Sequence, residues 1–233
     1  MNLPVTAILD DISLLDYPGR PAMVLFTGGC NLRCGYCHNA SLLGSIPSSF
    51  LPEEDILKAC KRFGDSWTDA AVITGGEPTL HGDSLLDLID FLKDYGFSVK
   101  LDTNGTLPAV LRKAVPLVDY TAMDIKCPFE DYPEFTGCTD RNAVRESFRY
   151  LVREGYPHEF RTTILDFYHT DERLERLGED IRGADRLFLQ AFRPGTRLLD
   201  KSLRKAPPAS SERMLTAKGI LEKYVGKVII RGG

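Results

Sequence analysis

Short apolar runs rich in β-branched or aromatic residues alternate along this chain with amphipathic segments, and this alternation constrains the fold more than any other feature. The strand-like runs are Ala22–Gly28, Ala70–Thr74, Phe97–Asp102, Val118–Lys126, Glu159–Leu165, Arg186–Phe192 and Lys227–Ile230. The segments between them read as helices. Residues 52–63 open with Pro52 and acidic residues, both favourable in a first turn, and repeat Ile56, Cys60 and Phe63 at helical spacing. Residues 83–96 carry Leu85, Leu88, Ile89 and Leu92 on one face, with Gly96 where a helix stops. Val144, Phe148, Leu151 and Val152 form another stripe before Gly155, and Leu174, Leu177 and Ile181 a shorter one. Met214, Leu221 and Val225 mark a last helix, opened by Ser210 or Ser211. Such alternation implies parallel strands joined by right-handed crossovers. Six units are too few for the complete eight-fold barrel. They suit an open doubly wound sheet or a partial barrel, within a single domain spanning residues 1–233.

In both architectures chemistry gathers at the carboxyl ends of the strands, and the unusual residues of this chain fall there. The first strand leads into FTGGCNLRCGYCHNA (26–40) and the second into TGGEP (74–78). The third ends in LDTNG (101–105) and the fourth in MDIK (123–126). The fifth carries RTT (161–163) and the sixth LQAFRPG (189–195). Gly75 and Gly76 allow close backbone approach, and Pro78 stiffens the turn and removes a donor; an ordinary βα turn is the alternative. Asp124 and Lys126 stand two apart on one strand and share a face, as do Asp102 and Asn104 if that strand extends so far. Unpaired charge is costly inside a barrel. Opposite charges converging at its mouth therefore imply mutual ion pairs or a zwitterionic ligand. Arg161 and Gln190 are polar within apolar runs, which favours roles in or behind a ligand site. His81, His158 and His169 read as surface or loop residues.

Three of the six cysteines, Cys30, Cys34 and Cys37, lie close together as C-x3-C-x2-C. Zinc would add His38 to make a Cys3His set. Structural zinc usually pairs two ligand couplets from separate places, and four adjacent ligands crowd a tetrahedron. A disulfide would leave one thiol over. A cubane iron–sulfur cluster is normally held by four thiolates; three would leave one iron open to a non-protein ligand. Cys60 lies on the buried stripe of its helix and reads as a small core hydrophobe. Cys127 and Cys138 read as incidental, with ligand or reactive-thiol roles as the alternative.

The C-x3-C-x2-C spacing, with Tyr36 before the last cysteine, resembles the signature of the radical S-adenosylmethionine superfamily, and GGEP, DTNG and D-x-K follow in that family's order. ISLLDYPG (12–19) ahead of VLFTGGCNLRCGYCHN (24–39), together with DIK-P and the terminal VIIRGG, narrows the resemblance. Together they are similar to the activating proteins of anaerobic ribonucleoside-triphosphate reductase, a glycyl-radical enzyme. The resemblance covers nearly the whole chain and is strongest over residues 12–39, 72–78 and 101–128. It implies a partial (β/α)6 barrel, an open TIM-like barrel with the cluster loop after the first barrel strand. It also implies a [4Fe–4S] cluster on Cys30, Cys34 and Cys37, with S-adenosylmethionine bound at the open iron through its amine and carboxylate. One electron would then break the sulfonium C5′–S bond and yield a 5′-deoxyadenosyl radical that abstracts hydrogen from a substrate.

The same resemblance assigns the cofactor residues. Gly75, Gly76, Glu77 and Pro78 would face the methionine ammonium, Glu77 by adding negative potential. Lys126 would meet the carboxylate. Asp102, Thr103 and Asp124, with Asn104 in the same set, would meet the ammonium or ribose, or hold a small monovalent cation beside the carboxylate. Arg161 and Gln190 would contact or support the cofactor. Tyr36 would pack the loop and place main-chain groups against the adenine, and His38 would form hydrogen bonds or touch a partner without binding iron.

Composition narrows the partners. Net charge is −4 and the pI is near 5.6, which makes no electrostatic case for nucleic acid or an anionic membrane. No apolar run approaches the roughly 18 residues of a membrane span. The N-terminal residues carry aspartates where a signal peptide has a basic start and an apolar core. The expected compartment is the cytoplasm, where clustered thiols stay reduced. Little of the chain is left for an accessory domain, so a glycine-bearing protein loop could reach an open barrel. A glycine Cα–H suits abstraction, because the resulting radical delocalises over the flanking amides. The expected partners are therefore a glycyl-radical enzyme and a flavodoxin- or ferredoxin-type electron donor. Two alternatives stand beside this. One is a radical enzyme acting on a small heterocycle, such as a 7-carboxy-7-deazaguanine synthase. The other is a non-enzymatic metal-bound interaction module, which leaves TGGEP, LDTNG and MDIK without a purpose.

Overall fold

Two antiparallel strands that the periodicity does not reveal open the chain in the computed structural model, which describes residues 3–231. They are β1 (Ala7–Ile8) and β2 (Ser13–Tyr17), and both pair with β3 (Arg20–Thr27). One has two residues and the other shifts register between Ser13 and Tyr17, so neither offers an alternation to detect. The order then continues with α1 (Glu53–Asp65), β4 (Ala70–Gly75), α2 (Asp83–Asp94), β5 (Ser98–Thr103), α3 (Pro108–Ala114) and β6 (Tyr120–Asp124). It ends with α4 (Tyr132–Thr136), α5 (Arg141–Glu154), β7 (His158–Ile164), α6 (Asp171–Asp180), β8 (Arg186–Ala191), α7 (Ser211–Leu221) and β9 (Lys227–Arg231). Every expected strand and helix is present. The short helices α3 and α4 were not expected, having seven and five residues, too few for a stripe. Of the VIIRGG motif, Gly232 and Gly233 lie outside the described residues.

The helices begin and end where local chemistry satisfies their termini. The Asp140 carboxylate accepts from the Asn142 and Ala143 N–H groups at the start of α5, and Gly155 closes it at φ 69°. Thr170 caps α6 and Ser210, the first of the two candidate serines, caps α7. Among the described residues no helix is long and apolar enough to cross a membrane.

The strands follow the order β1-β3-β4-β5-β6-β7-β8-β9, with β2 on β3, and the sheet does not close on its first strand. Two compact units divide the chain. The first comprises Met1–Asn31, Leu42–Thr103 and Leu107–Ala122; the second comprises Leu32–Ser41, Asn104–Thr106 and Met123–Gly233. In the first unit β3, β4 and β5 are parallel, with Val24, Val72 and Lys100 in one register row. Tyr17, Ala22, Val24, Ala70 and Val72 pack together there, joined by Phe26 and Tyr120. In the second unit β7, β8 and β9 are parallel, with Phe160, Leu187 and Val228 in one row and Thr163, Gln190 and Arg231 in another.

The second unit also ties its last strand down electrostatically. Glu159 on β7 is fully buried and accepts both guanidinium N–H groups of Arg231 on β9, each at 3.0 Å. Removing one member of a buried pair strands the other. Arg231→Ala is therefore expected to destabilise the protein by about 3 kcal/mol, read by urea unfolding. The double replacement of Glu159 and Arg231 by leucine should recover most of that loss.

Candidate active site

Within the first unit, β3 ends at Thr27 and leads into Gly28, Gly29 and Cys30. The Gly29 N–H donates to Leu42 O at 2.8 Å and the Cys30 N–H to Gly44 O at 3.1 Å, an isolated bridge that leaves Cys30 buried. TGGEP is built against this same backbone. The Gly76 N–H donates to Thr27 O at 2.9 Å and the Glu77 N–H to Gly29 O at 2.8 Å. Gly75 holds φ +122°, and a Cβ on Gly76 would stand 1.9 Å from Gly29 O. The expected close approach is thus realised, with the cysteine loop as its partner.

The end of β5 differs from expectation, and Glu77 is tied to it. Glu77 is fully buried, and its Oε1 accepts from the Thr79 N–H, the Thr79 hydroxyl and, at 2.7 Å, the Thr103 hydroxyl. It caps the short turn Pro78–His81 and ties that turn to β5. Strand β5 stops at Thr103, so Asn104 does not continue the face that carries Asp102. That face instead carries Lys100, fully buried and ion-paired with Asp102. Lys100 was missed, although it stands two residues before an acid in an apolar run, the same spacing that singled out Asp124 and Lys126. His81 is half-buried, and burial lowers its pKa; the neutral ring donates from Nε2 to Gly28 O at 2.9 Å.

Within the second unit, the loop 32–41 is held by its backbone. The Arg33 N–H donates to Thr136 O at 2.7 Å, the Cys37 N–H to Cys34 O at 3.0 Å, and the Asp200 N–H to Gly35 O at 2.9 Å. Tyr36 is buried and stacks on Phe135, with centroids 5.5 Å apart. Phe135 stacks in turn on Tyr168 at 3.7 Å, and the Arg173 guanidinium covers Tyr168 at 4.2 Å. Tyr36 therefore packs the loop as expected, and burial raises its pKa well above the usual phenol value. His38 forms the expected hydrogen bond, with Nε2 2.9 Å from Arg193 O. Burial also raises the Cys37 thiol. Asn104 accepts from the N–H and hydroxyl of Thr106 at 2.9 and 2.6 Å and so closes its own turn.

The charged centre of this unit is Asp124, the last residue of β6. Its two oxygens accept from Lys126 Nζ at 2.9 Å and from Arg161 Nε at 2.7 Å. Burial works to raise the Asp124 carboxyl, but the two cations outweigh it and hold the group well below its ordinary value. Burial likewise opposes the Lys126 charge, and Asp124 more than reverses that, so Lys126 stays protonated. Lys126 lies beyond the end of β6, so a strand-end pairing replaces the shared face expected on a strand over 118–126. Two further side chains clamp its peptide group: its N–H donates to Tyr132 Oη at 3.0 Å, and His169 Nε2 lies 3.2 Å from its oxygen. His169 Nδ1 accepts from the Leu165 N–H at 3.0 Å, so Nε2 carries the proton. Burial pushes the His169 pKa down to about 4.

His169 and His158 are thus buried, not surface residues, and His158 lies on β7. Neither His169 nor Tyr132 was singled out as a supporting residue, since their partner is a peptide group that no pattern of side chains reports. Gln190 stands in register between Thr163 and Arg231. Cys127 is fully buried beside Tyr168, and burial raises its thiol pKa. Cys138 is buried with the same effect, and Cys60 is a core residue of α1 pushed up to about 11.

No cysteine is in a disulfide. Among the described residues no three His, Cys, Asp or Glu side chains stand together as a preformed metal-ligand group. What the structure supplies for an iron–sulfur cluster is the donor chemistry, three soft thiols on one loop, and the backbone bonds that fix that loop within each unit.

The Radical SAM superfamily model matches residues 24–181. A Methanocaldococcus jannaschii protein, provisionally named a glycyl-radical enzyme activating enzyme, is 32% identical over 243 residues, covering 99% of this chain and 97% of that protein. A pyruvate formate-lyase-activating enzyme of Clostridium pasteurianum is 27% identical over 79% of this chain and 80% of its own. A 7-carboxy-7-deazaguanine synthase of Thermococcus kodakarensis is 31% identical over 46% of this chain and 50% of its own. In structure, a domain of pyruvate-formate lyase-activating enzyme from Bacteroides vulgatus aligns with a TM-score of 0.56 at 18% identity, covering 70% of this chain and 99% of that one. This likeness identifies the fold as the open, partial TIM-like barrel.

Two outcomes are expected. Gly76→Ala places a Cβ against backbone that has no side chain to rotate away, so it should cost about 3 kcal/mol in urea unfolding and lower the iron bound on reconstitution. Asp124, with its folded pKa depressed, contributes stability that is complete above the ordinary 3.8 and is lost as pH falls below it. Unfolding free energies measured from neutrality down to about pH 3 should show that loss in the native protein. Asp124→Asn should be less stable at neutrality and lack that increment of the acid limb.

Proposed function

Because the chain belongs to the radical S-adenosylmethionine superfamily and, within it, to the glycyl-radical enzyme activating enzymes, we propose that it installs the glycyl radical on an anaerobic ribonucleoside-triphosphate reductase. The whole chain, 1–233, acts as one radical SAM domain. The family's cofactors are a [4Fe–4S] cluster and S-adenosylmethionine, which together supply one-electron cleavage of a carbon–sulfur bond and a carbon radical able to abstract hydrogen. Cys30, Cys34 and Cys37 are the thiolates that hold the cluster.

The remaining residues bind and orient. Asp124 is shared by two cations, Lys126 and Arg161, at the end of β6. Such a set accepts a carboxylate, and we assign it to that of the methionine moiety. The half-exposed backbone at Gly75 and Gly76, with Pro78 closing the turn, is assigned to the ammonium. Glu77 shapes that backbone from below. Asp102, Thr103, Asn104 and Gln190 are assigned to the ribose and the remaining polar contacts, and Tyr36 holds the loop main chain against the adenine. His169 and Tyr132 keep the Lys126 peptide in place.

The observation that carries this function is likeness over nearly the full length to an activating enzyme, with the cysteine, GGEP, DTNG and D-x-K motifs at successive strand ends. ISLLDYPG, DIK-P and VIIRGG support the particular reductase. The electron donor is of flavodoxin or ferredoxin type. The compartment is the cytosol, in keeping with six cysteines none of which is in a disulfide. The second reading, a small heterocycle as substrate, is favoured by matches to 7-carboxy-7-deazaguanine synthases, which cover from 38% to 74% of this chain at 27–34% identity.

Anaerobic reconstitution followed by reduction with S-adenosylmethionine should yield 5′-deoxyadenosine. Adding the reductase should then give a protein radical by electron paramagnetic resonance. Cys34→Ala should abolish both, since two thiolates do not retain the cubane. Deoxyadenosine without a partner radical, but with turnover of a heterocycle, would replace this function with the second reading. Bound zinc with no iron would overturn both.

A further inference from the structure

The segment that follows β8 carries a charge opposite to that of the whole chain. Net charge over the chain is −4, yet residues 193–205 hold five basic residues and one acid. The acid, Asp200, is engaged locally: its Oδ1 accepts from the Ser202 N–H at 2.8 Å and from the Ser202 hydroxyl at 2.7 Å. Arg197, Lys201, Arg204 and Lys205 are exposed, and among the described residues no carboxylate pairs with any of them. Arg204 donates to Leu198 O at 3.2 Å. Leu199 is exposed among these cations, at 39%.

This segment lies on the cysteine loop, and both belong to the second unit. The Asp200 N–H donates to Gly35 O at 2.9 Å, and a Cβ on Gly35 would stand 3.2 Å from Asp200 Cβ and 3.7 Å from Leu203 Cδ1. Gly35 follows Cys34. His38 follows Cys37, and its Nε2 lies 2.9 Å from Arg193 O. The basic surface thus abuts the stretch of loop that carries two of the three thiols. Clustered cations repel one another, and a partner that brings carboxylates relieves the repulsion. An exposed leucine among charged residues adds an apolar contact with a polar rim. Redox encounters bury little surface, so one short segment is enough.

We propose that residues 197–205 form the docking surface for an acidic one-electron carrier protein. Arg197, Lys201, Arg204 and Lys205 meet its carboxylates, and Leu199 supplies the apolar contact. This deepens the function proposed above and rests on the assignment of Cys34 and Cys37 to a cluster. The step is a single electron: the reduced carrier loses it, the cluster gains it, and no bond forms or breaks. A carrier needs only nearness to the thiolates. A substrate glycine has to meet the cofactor, which is assigned to the strand ends, so this surface fits the carrier better than the glycyl-radical enzyme.

The test uses cluster-loaded protein and a flavodoxin of net negative charge. Arg197→Gln, Lys201→Gln and Lys205→Gln are combined in one variant. A control variant loses the same charge on α1, through Lys58→Gln, Lys61→Gln and Arg62→Gln. Anaerobic equilibrium binding of the oxidised flavodoxin should weaken about tenfold in the first variant, and in the native protein it should weaken with added salt. The control should bind as the native protein does. Cleavage of S-adenosylmethionine driven by reduced flavodoxin should fall in the first variant by a similar factor, while cleavage driven by dithionite stays unchanged. Equal losses in both variants would overturn the proposal, since net charge alone gives that result. So would unchanged flavodoxin binding in the first variant, or loss there of binding to the reductase, to duplex DNA or to anionic vesicles without loss of binding to flavodoxin. Absence of cofactor cleavage even with dithionite would sink the assigned function and leave the binding comparison standing.

Discussion

One backbone can lie within hydrogen-bonding distance of another at a sharp turn only where no Cβ intervenes, and the contact of Gly76 with Gly29 is such a place. Two hydrogen bonds, from the Gly76 and Glu77 N–H groups to Thr27 and Gly29, fasten the turn after β4 to the start of the cysteine loop. Glu77 then buries its carboxylate beneath the turn and reaches the Thr103 hydroxyl, so three successive strand ends of the first unit become one rigid assembly. The turn presents a backbone edge because its side chains face away or are absent. Backbone groups fixed in this way lose no rotamer entropy when they meet a ligand.

A second constraint acts throughout: buried charge is tolerated only when matched. Lys100 with Asp102, Arg231 with Glu159, and the Lys126–Asp124–Arg161 set all obey it. The first two pair one acid with one base, and the third sets two cations against one carboxylate at the end of β6.

Full-length similarity places the chain among the glycyl-radical enzyme activating enzymes. The fold alone would not have done so. The same open barrel serves several chemistries, and the match to 7-carboxy-7-deazaguanine synthase shows how much of the pattern is common property.

The sequence by itself determined the alternation, the strand-end placement of the motifs and the C-x3-C-x2-C spacing of three thiols on one loop. Each of these is written in local periodicity or spacing, which chain geometry converts directly into position. It also determined why glycine stands at 75 and 76, though not that the neighbour would be the cysteine loop. Only the tertiary structure decided that Glu77 is spent on Thr79 and Thr103, that Asp102 pairs with Lys100 and not along a face with Asn104, and that His169 and Tyr132 clamp the Lys126 peptide. Most of these partners are dozens of residues apart or are backbone atoms, and the rest turn on which face is buried and where a strand stops. No one-dimensional pattern records such matters, because they follow from how the packed chain excludes water.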